Sequence, residues 1–175
     1  MDGDENMLTV VDMCKRHKET LIEFSLNIDK WNDLDREVWD LVHSNWEMIK
    51  FLSEDGSLNS DIEKLPSNRG GIYVFLLNPD ILPDTHTYIM YIGRAQLTLN
   101  KNLRTRCKEY LKDMRPKIAV MRETWGKDLY IKYLPLDDNK TIKRVERELI
   151  RVIIPPFNDR IPDLYKLPKR SAWEG

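Results

Sequence analysis

The chain has 175 residues, of which 41% are hydrophobic and 33% charged, with a formal net charge of −1. At that length one well-cored domain with an appendage fits, and two large domains do not. The composition is that of an ordinary soluble globular protein, and no apolar run approaches the length of a membrane span.

The near-zero net charge hides a split. Residues 1–65 carry 7 Lys and Arg against 16 Asp and Glu, whereas residues 66–175 carry 21 against 13. A basic C-terminal part behind an acidic N-terminal segment suits polyanion binding by the former; an accidental asymmetry of a solvated surface is the plainer alternative. Cys14 and Cys107 are far apart and form no CxxC pair, as expected of reduced thiols. His17, His43 and His86 are equally scattered, which argues against a zinc site. The acidic N-terminus (Asp2, Asp4, Glu5) has no apolar signal core, so a cytoplasmic protein is expected.

In chain order, residues 7–24 show loose helical spacing. Trp31, Leu34, Val38, Leu41, Val42, Trp46 and Ile49 then predict one amphipathic helix. Residues 53–67, with Gly56, Pro66 and several Ser and Asn, read as a linker. After it the period changes from about 3.6 to 2. Residues 71–77 (GIYVFLL) and 87–93 (TYIMYIG) are predicted strands, and the short loop between them favours an antiparallel pair. Alternation would put Tyr73 with Phe75 and Ile89 with Tyr91, on one face of that pair. A helix is expected over 102–114, a second over 116–125 closed by Gly126, and a third strand over 129–134. A last helix is capped by Asp138 or Asn139 and ended by Pro155 and Pro156. The expected fold class is α/β of the α+β kind: a small, mainly antiparallel three-stranded sheet flanked by helices, after an N-terminal helical segment.

Within the last helix, Ile142, Val145, Leu149, Ile150 and Ile153 form one buried stripe, and Glu146 falls inside it. A carboxylate among aliphatics costs several kcal/mol, on the order of the penalty for a buried charge, unless a cation or donors satisfy it. Glu146 is therefore a candidate metal ligand or catalytic group, or one half of a buried carboxylate–arginine pair.

Gly71-Ile72-Tyr73, Tyr91-Ile92-Gly93, Arg106 with Tyr110 one turn on, Glu146 with Leu149-Ile150, and Pro155-Pro156-Phe157-Asn158 stand in order along the chain. This constellation resembles the GIY-YIG nuclease family, over roughly residues 69–160. It is especially similar to the incision domain of the bacterial nucleotide-excision-repair nuclease, and also to GIY-YIG restriction endonucleases. The sequence departs from the family in a longer loop around 96–101, in Arg94 where many members have Lys, and in Phe157 where many have Tyr. The longer loop leaves Arg104 as the alternative to Arg106.

The resemblance implies a nuclease domain over 66–162; by composition, an acidic helical segment with linker over 1–65 precedes it and a basic, aromatic tail over 163–175 follows it. It implies a DNA endonuclease, with RNA as the alternative substrate, that uses one Mg²⁺ for which Mn²⁺ can substitute. Glu146 would bind the metal, Arg106 would donate to the phosphate, and Asn158 would tie the turn after the helix to the site. Tyr73 is given the role of base ahead of Tyr91. Arg94 and Tyr110 would contact phosphate, and Lys101, Arg104 and Lys108 would form a basic face along the backbone. Residues 1–65 would dimerise, dock a protein partner or cover the basic cleft; no membrane is involved. The rival class is a catalytically silent nucleic-acid-binding or protein-interaction module on the same fold.

Overall fold

A computed structural model describes residues 22–83 and 85–162. The elements are α1 (Ile28–Asn32), α2 (Arg36–Val42), β1 (Glu47–Lys50), β2 (Gly70–Leu77), β3 (Tyr88–Ala95), α3 (Leu103–Glu109), α4 (Pro116–Trp125), β4 (Leu129–Leu136) and α5 (Asn139–Ile153). The class is the expected α+β. The sheet, however, has four antiparallel strands rather than three, in the order β1-β4-β2-β3.

The extra strand comes from the stretch expected to be one helix over 31–49. Asp33 ends α1 and Asp35 caps α2, accepting from the Val38 amide. The chain then turns and pairs Glu47–Lys50 with β4. A four-residue strand at a sheet edge is too short to imprint a period of two, so the helical spacing upstream overran it. The linker reading of 53–67 is also corrected. Asn59 caps a 3₁₀ turn over Ser60–Lys64, and Ile62 and Leu65 are buried together with Phe51 and Leu52. Residues 47–65 are thus part of the domain. The serines and asparagines signalled turns truly, while the two apolar anchors among them were too sparse to read as core. The helix expected over 102–114 ends at Glu109 and tightens into a 3₁₀ turn over Tyr110–Lys112. The expected element at 7–24 lies largely outside the described residues, as does the tail from 163 on.

β2 is central and covered on both faces. Ile72, Val74 and Leu76 pack with Ile92 and with Ile142, Val145, Leu149 and Ile150 of α5. Tyr73 and Phe75 pack on the other side with Leu103, Cys107, Tyr110, Ile118 and Met121 from α3, its 3₁₀ extension and α4. Each such buried aliphatic contributes about 1.5–3 kcal/mol over its exposed state. The two layers hold α5 and α3 on opposite faces, so their side chains can meet only around the β3 edge.

The pairing of β2 with β3 shifts register between Phe75 and Leu76: Phe75 faces Tyr91, but Leu76 faces Ile89. Met90 is the extra residue of this bulge. Tyr73, Phe75 and Tyr91 consequently share a face as expected, whereas Ile89 packs with the opposite layer. Simple alternation misplaced Ile89 because it has no means of seeing an inserted residue.

Two glycines are dictated by close approach. Gly71 has φ of +151°, and a Cβ there would lie 2.2 Å from the Leu134 carbonyl oxygen. At Gly93 a Cβ would lie 2.5 Å from the ring and hydroxyl of Tyr73, which is itself fully buried and cannot swing away. Gly93→Ala is expected to destabilise the fold by about 1–3 kcal/mol, the usual range for overpacking. Urea unfolding measures this; an unchanged midpoint would show that the Tyr73 ring does not rest on Gly93.

Candidate active site at the edge of the sheet

β3 is an edge strand, and α5 is fastened across it by two asparagines. Asn139, the first residue of α5, accepts from the Leu97 amide at 2.9 Å and donates to the Leu97 carbonyl at 3.0 Å. Asn158 does the same to Ile92, accepting from its amide and donating to its carbonyl, both at 2.9 Å. The cap itself comes from Asp138, which accepts from the Thr141 amide at 2.7 Å. Between these clamps the chain leaves α5 through Ile154, held at φ 54°, a left-handed conformation that is rare for a β-branched residue. That reversal, followed by Pro155 and Pro156, brings the Phe157 amide onto the Met90 carbonyl at 3.0 Å and Asn158 beside Ile92. Asn158 thus ties the turn after α5 to β3.

Glu146 lies between the two clamps on the face of α5 turned to β3. Its side chain is 15% exposed and pairs with the guanidinium of Arg94, which rises from β3. Burial pushes the Glu146 carboxyl above its usual value, against the opposing pull of Arg94 and Arg106. The carboxylate forms part of the wall of an open cleft of about 590 Å³, whose lining includes Tyr91, Arg94, Arg115, Lys143 and Asn158. A carboxylate on the wall of an open cleft suits Mg²⁺, which retains several waters and takes one or two protein carboxylates. Among the described residues there is no cluster of three or more His, Cys, Asp or Glu that would build an all-protein cage instead.

The other layer brings phenols and a guanidinium to the same edge. The hydroxyls of Tyr73 and Tyr110 are 2.8 Å apart. Arg106 donates through Nε to Tyr73 at 3.2 Å, through a terminal nitrogen to Tyr110 at 3.3 Å, and to Glu109 at 2.6 Å. Its guanidinium also stands over the Tyr110 ring, 4.8 Å from the centroid. Burial raises the Tyr73 and Tyr110 hydroxyls well above the ordinary phenol value. Tyr91 is half-buried, stacks edge-on against Tyr110, and lines the cleft. Arg115, fastened to Asp113, stands over the Tyr110 ring, 5.7 Å from its centroid.

Of the two arginines weighed at the start of α3, Arg106 is the one that faces the tyrosines. Arg104 points away, bonding to the Leu65 and Glu63 carbonyls and to the Glu63 carboxylate. Lys108 also pairs with Glu63, and Lys101 with Glu109 at 3.0 Å. The cations expected to form a basic face along α3 are thus each paired with an acidic neighbour, Glu63 or Glu109. The positive charge of the cleft comes from Arg94, Arg115, Lys143, Arg147 and Arg160. Lys143 and Arg147, on the same helix as Glu146, both line this cleft, and Lys143, three residues before Glu146, is its neighbour on the helix surface.

The acidic N-terminal segment does not lie over this cleft within the described residues. Asp35 and Glu37 pair with Arg144, and Arg151 donates to the Asp33 carbonyl at 2.7 Å, on the outer side of α5. No helix of the described residues is long and apolar enough to cross a membrane.

A scan against protein-family models finds no match, and neither do searches of curated proteins and of solved structures. Function must therefore be read from these residues and their arrangement.

Two outcomes follow from the clamp and from the buried carboxyl. Asn158→Ala leaves the Ile92 amide and carbonyl without partners and is expected to cost about 1–3 kcal/mol. Hydrogen exchange should show the Ile92 amide losing protection; retained protection would contradict the clamp. For Glu146, a folded-state value above the unfolded one, about 4.3, means that the ionised form weakens the fold. That cost is present at neutral pH and vanishes as pH falls below the unfolded value. Glu146→Gln is thus expected to raise the urea midpoint at pH 7 and to leave it unchanged near pH 3. A lower midpoint at pH 7 would show that the Arg94 pairing outweighs burial.

Proposed function

We propose that this chain is a divalent-metal-dependent endonuclease of the GIY-YIG type that hydrolyses phosphodiester bonds in DNA. The observation that carries the reading is the convergence of Glu146, Tyr91, Arg94 and Arg106 on the β3 edge from three different stretches of sequence, beside a cleft rich in cations. Glu146 would hold the cation. When bound, Mg²⁺ would supply Lewis-acid activation of the scissile phosphate and its leaving oxygen. Arg94, Arg115, Lys143 and Arg160 would seat the backbone by its phosphates. Arg106, pre-set by the Tyr73 and Tyr110 hydroxyls, would donate to the non-bridging oxygens as their charge rises.

Attack by water needs a group to take its proton. Tyr91 fits this role better than Tyr73, because it lines the cleft while Tyr73 is buried and raised by desolvation. Acting as phenolate, Tyr91 would take the proton of the attacking water while the water oxygen bonds to phosphorus and the bond to the leaving oxygen breaks; the leaving group would depart as an alkoxide and then take a proton from bulk water. Tyr73 would then position Arg106.

One observation favours the second reading. Glu146 is already paired with Arg94, as a purely structural buried pair would be, which suits a silent DNA-binding module.

Cleavage of supercoiled plasmid with Mg²⁺ separates the two. Wild type is expected to cut, Glu146→Gln and Arg106→Ala to show no detectable cutting, and Tyr91→Phe to lose about 10²–10⁴-fold. Equal cutting by Glu146→Gln would remove the metal-site assignment. A wild type that retards DNA without cutting it would establish the module.

A further inference from the structure

The cleft as it stands is hostile to a free divalent cation. Two carboxylates line it, and both already have cationic partners: Asp159 is held by Lys117 at 3.0 Å, and Glu146 by Arg94. Around them stand Arg94, Arg115, Lys143, Arg147 and Arg160. A doubly charged ion would have to enter a positive field and displace a guanidinium from a side chain only 15% exposed.

Arg94 has somewhere else to go. It is 37% exposed, and it lines both the main cleft and a smaller cavity of about 200 Å³ that it shares with Lys101 and Arg106. A phosphodiester lying along the β3 edge would meet Arg94 and Arg106 together. Its two non-bridging oxygens would match the planar guanidinium as the two oxygens of a carboxylate do, and so could take the place of Glu146. The same phosphodiester brings the negative charge that the cleft lacks.

Resting on the metal-site reading above, we propose that Arg94 is a latch: it holds Glu146 until a DNA phosphate draws the guanidinium away, so that the carboxylate opens to a divalent cation only when DNA is bound. Cation and DNA then bind with positive coupling, each tightening the other by the same factor. Arg94 acts through Glu146 and is in this sense a positioning residue. The arrangement keeps the cation off the protein until there is a bond to cut.

The test is Mn²⁺ affinity, read as free Mn²⁺ by electron paramagnetic resonance, for the full chain with and without a short DNA duplex. Glu146→Gln with the same duplex sets the background that the DNA binds by itself. Wild type alone is expected to bind weakly and to gain about tenfold on adding duplex, within the usual range of coupling. Arg94→Gln alone is expected to bind about tenfold more tightly than wild type and to gain little more from duplex. Arg94→Lys keeps the charge without the planar fork, and its affinity should fall between the two. Equal Mn²⁺ affinity of wild type and Arg94→Gln, or an undiminished gain from duplex in Arg94→Gln, overturns the latch and leaves the metal site standing. Absence of any Glu146-dependent Mn²⁺ binding, in every form and with duplex present, overturns both.

Discussion

Two asparagine side chains hold a helix across an open sheet edge, and the rest of the site depends on them. An edge strand presents unpaired amides and carbonyls, which proteins usually cover or blunt. Here Asn139 and Asn158 each bond to both groups of one residue on or just after β3, and Phe157 takes a third point on the strand. The left-handed turn at Ile154 makes the second clamp reachable from the end of α5. With both ends fixed, Glu146 in the middle of α5 can only face β3, where Arg94 stands. Covering the edge and presenting a carboxylate there are one and the same construction.

The opposite layer is built on a different economy. Tyr73, Tyr91, Tyr110 and Phe75 form a chain of edge-on rings, and Gly93 makes the room for the Tyr73 ring. Buried hydroxyls need partners, and Tyr73 and Tyr110 find them in each other and in Arg106. The guanidinium is thereby fixed by the packing of the core and not by the flexibility of its own side chain. Around the β3 edge this rigid cationic group acts on Glu146, which arrives from the other face. The division suits a reaction in which charge must be met by groups that do not have to reorganise.

The sequence was most legible in the long, uninterrupted elements. Strands β2, β3 and β4 and helices α4 and α5 lie close to where composition, spacing and their bounding residues put them, and Glu146 stood out because it interrupts an apolar stripe. The N-terminal region was less legible. β1 is four residues long, and the core anchors Ile62 and Leu65 sit in a turn-rich stretch, so neither produced a period. The bulge at Met90 turned Ile89 to the other face through pairing geometry, which one strand's residues do not encode. Charge was misread for a related reason. Arg104 and Lys108 look free on a helix drawn alone, but Glu63, 41 and 45 residues earlier, lies against them. Lys143 and Arg147 look solvated on α5, yet they border the cleft. Local pattern gives which side of an element is apolar; it does not give what the polar side meets.

The central claim is that the Glu146 carboxylate, held against the β3 edge, is the place where a divalent cation binds for work on DNA. Crystals of the chain with a DNA duplex and Mn²⁺, measured at the manganese absorption edge, test it directly. The account predicts an anomalous peak at bonding distance from the Glu146 carboxylate, with Arg94 turned onto a phosphate. A fully bound duplex with no peak there, and Arg94 still on Glu146, would contradict it.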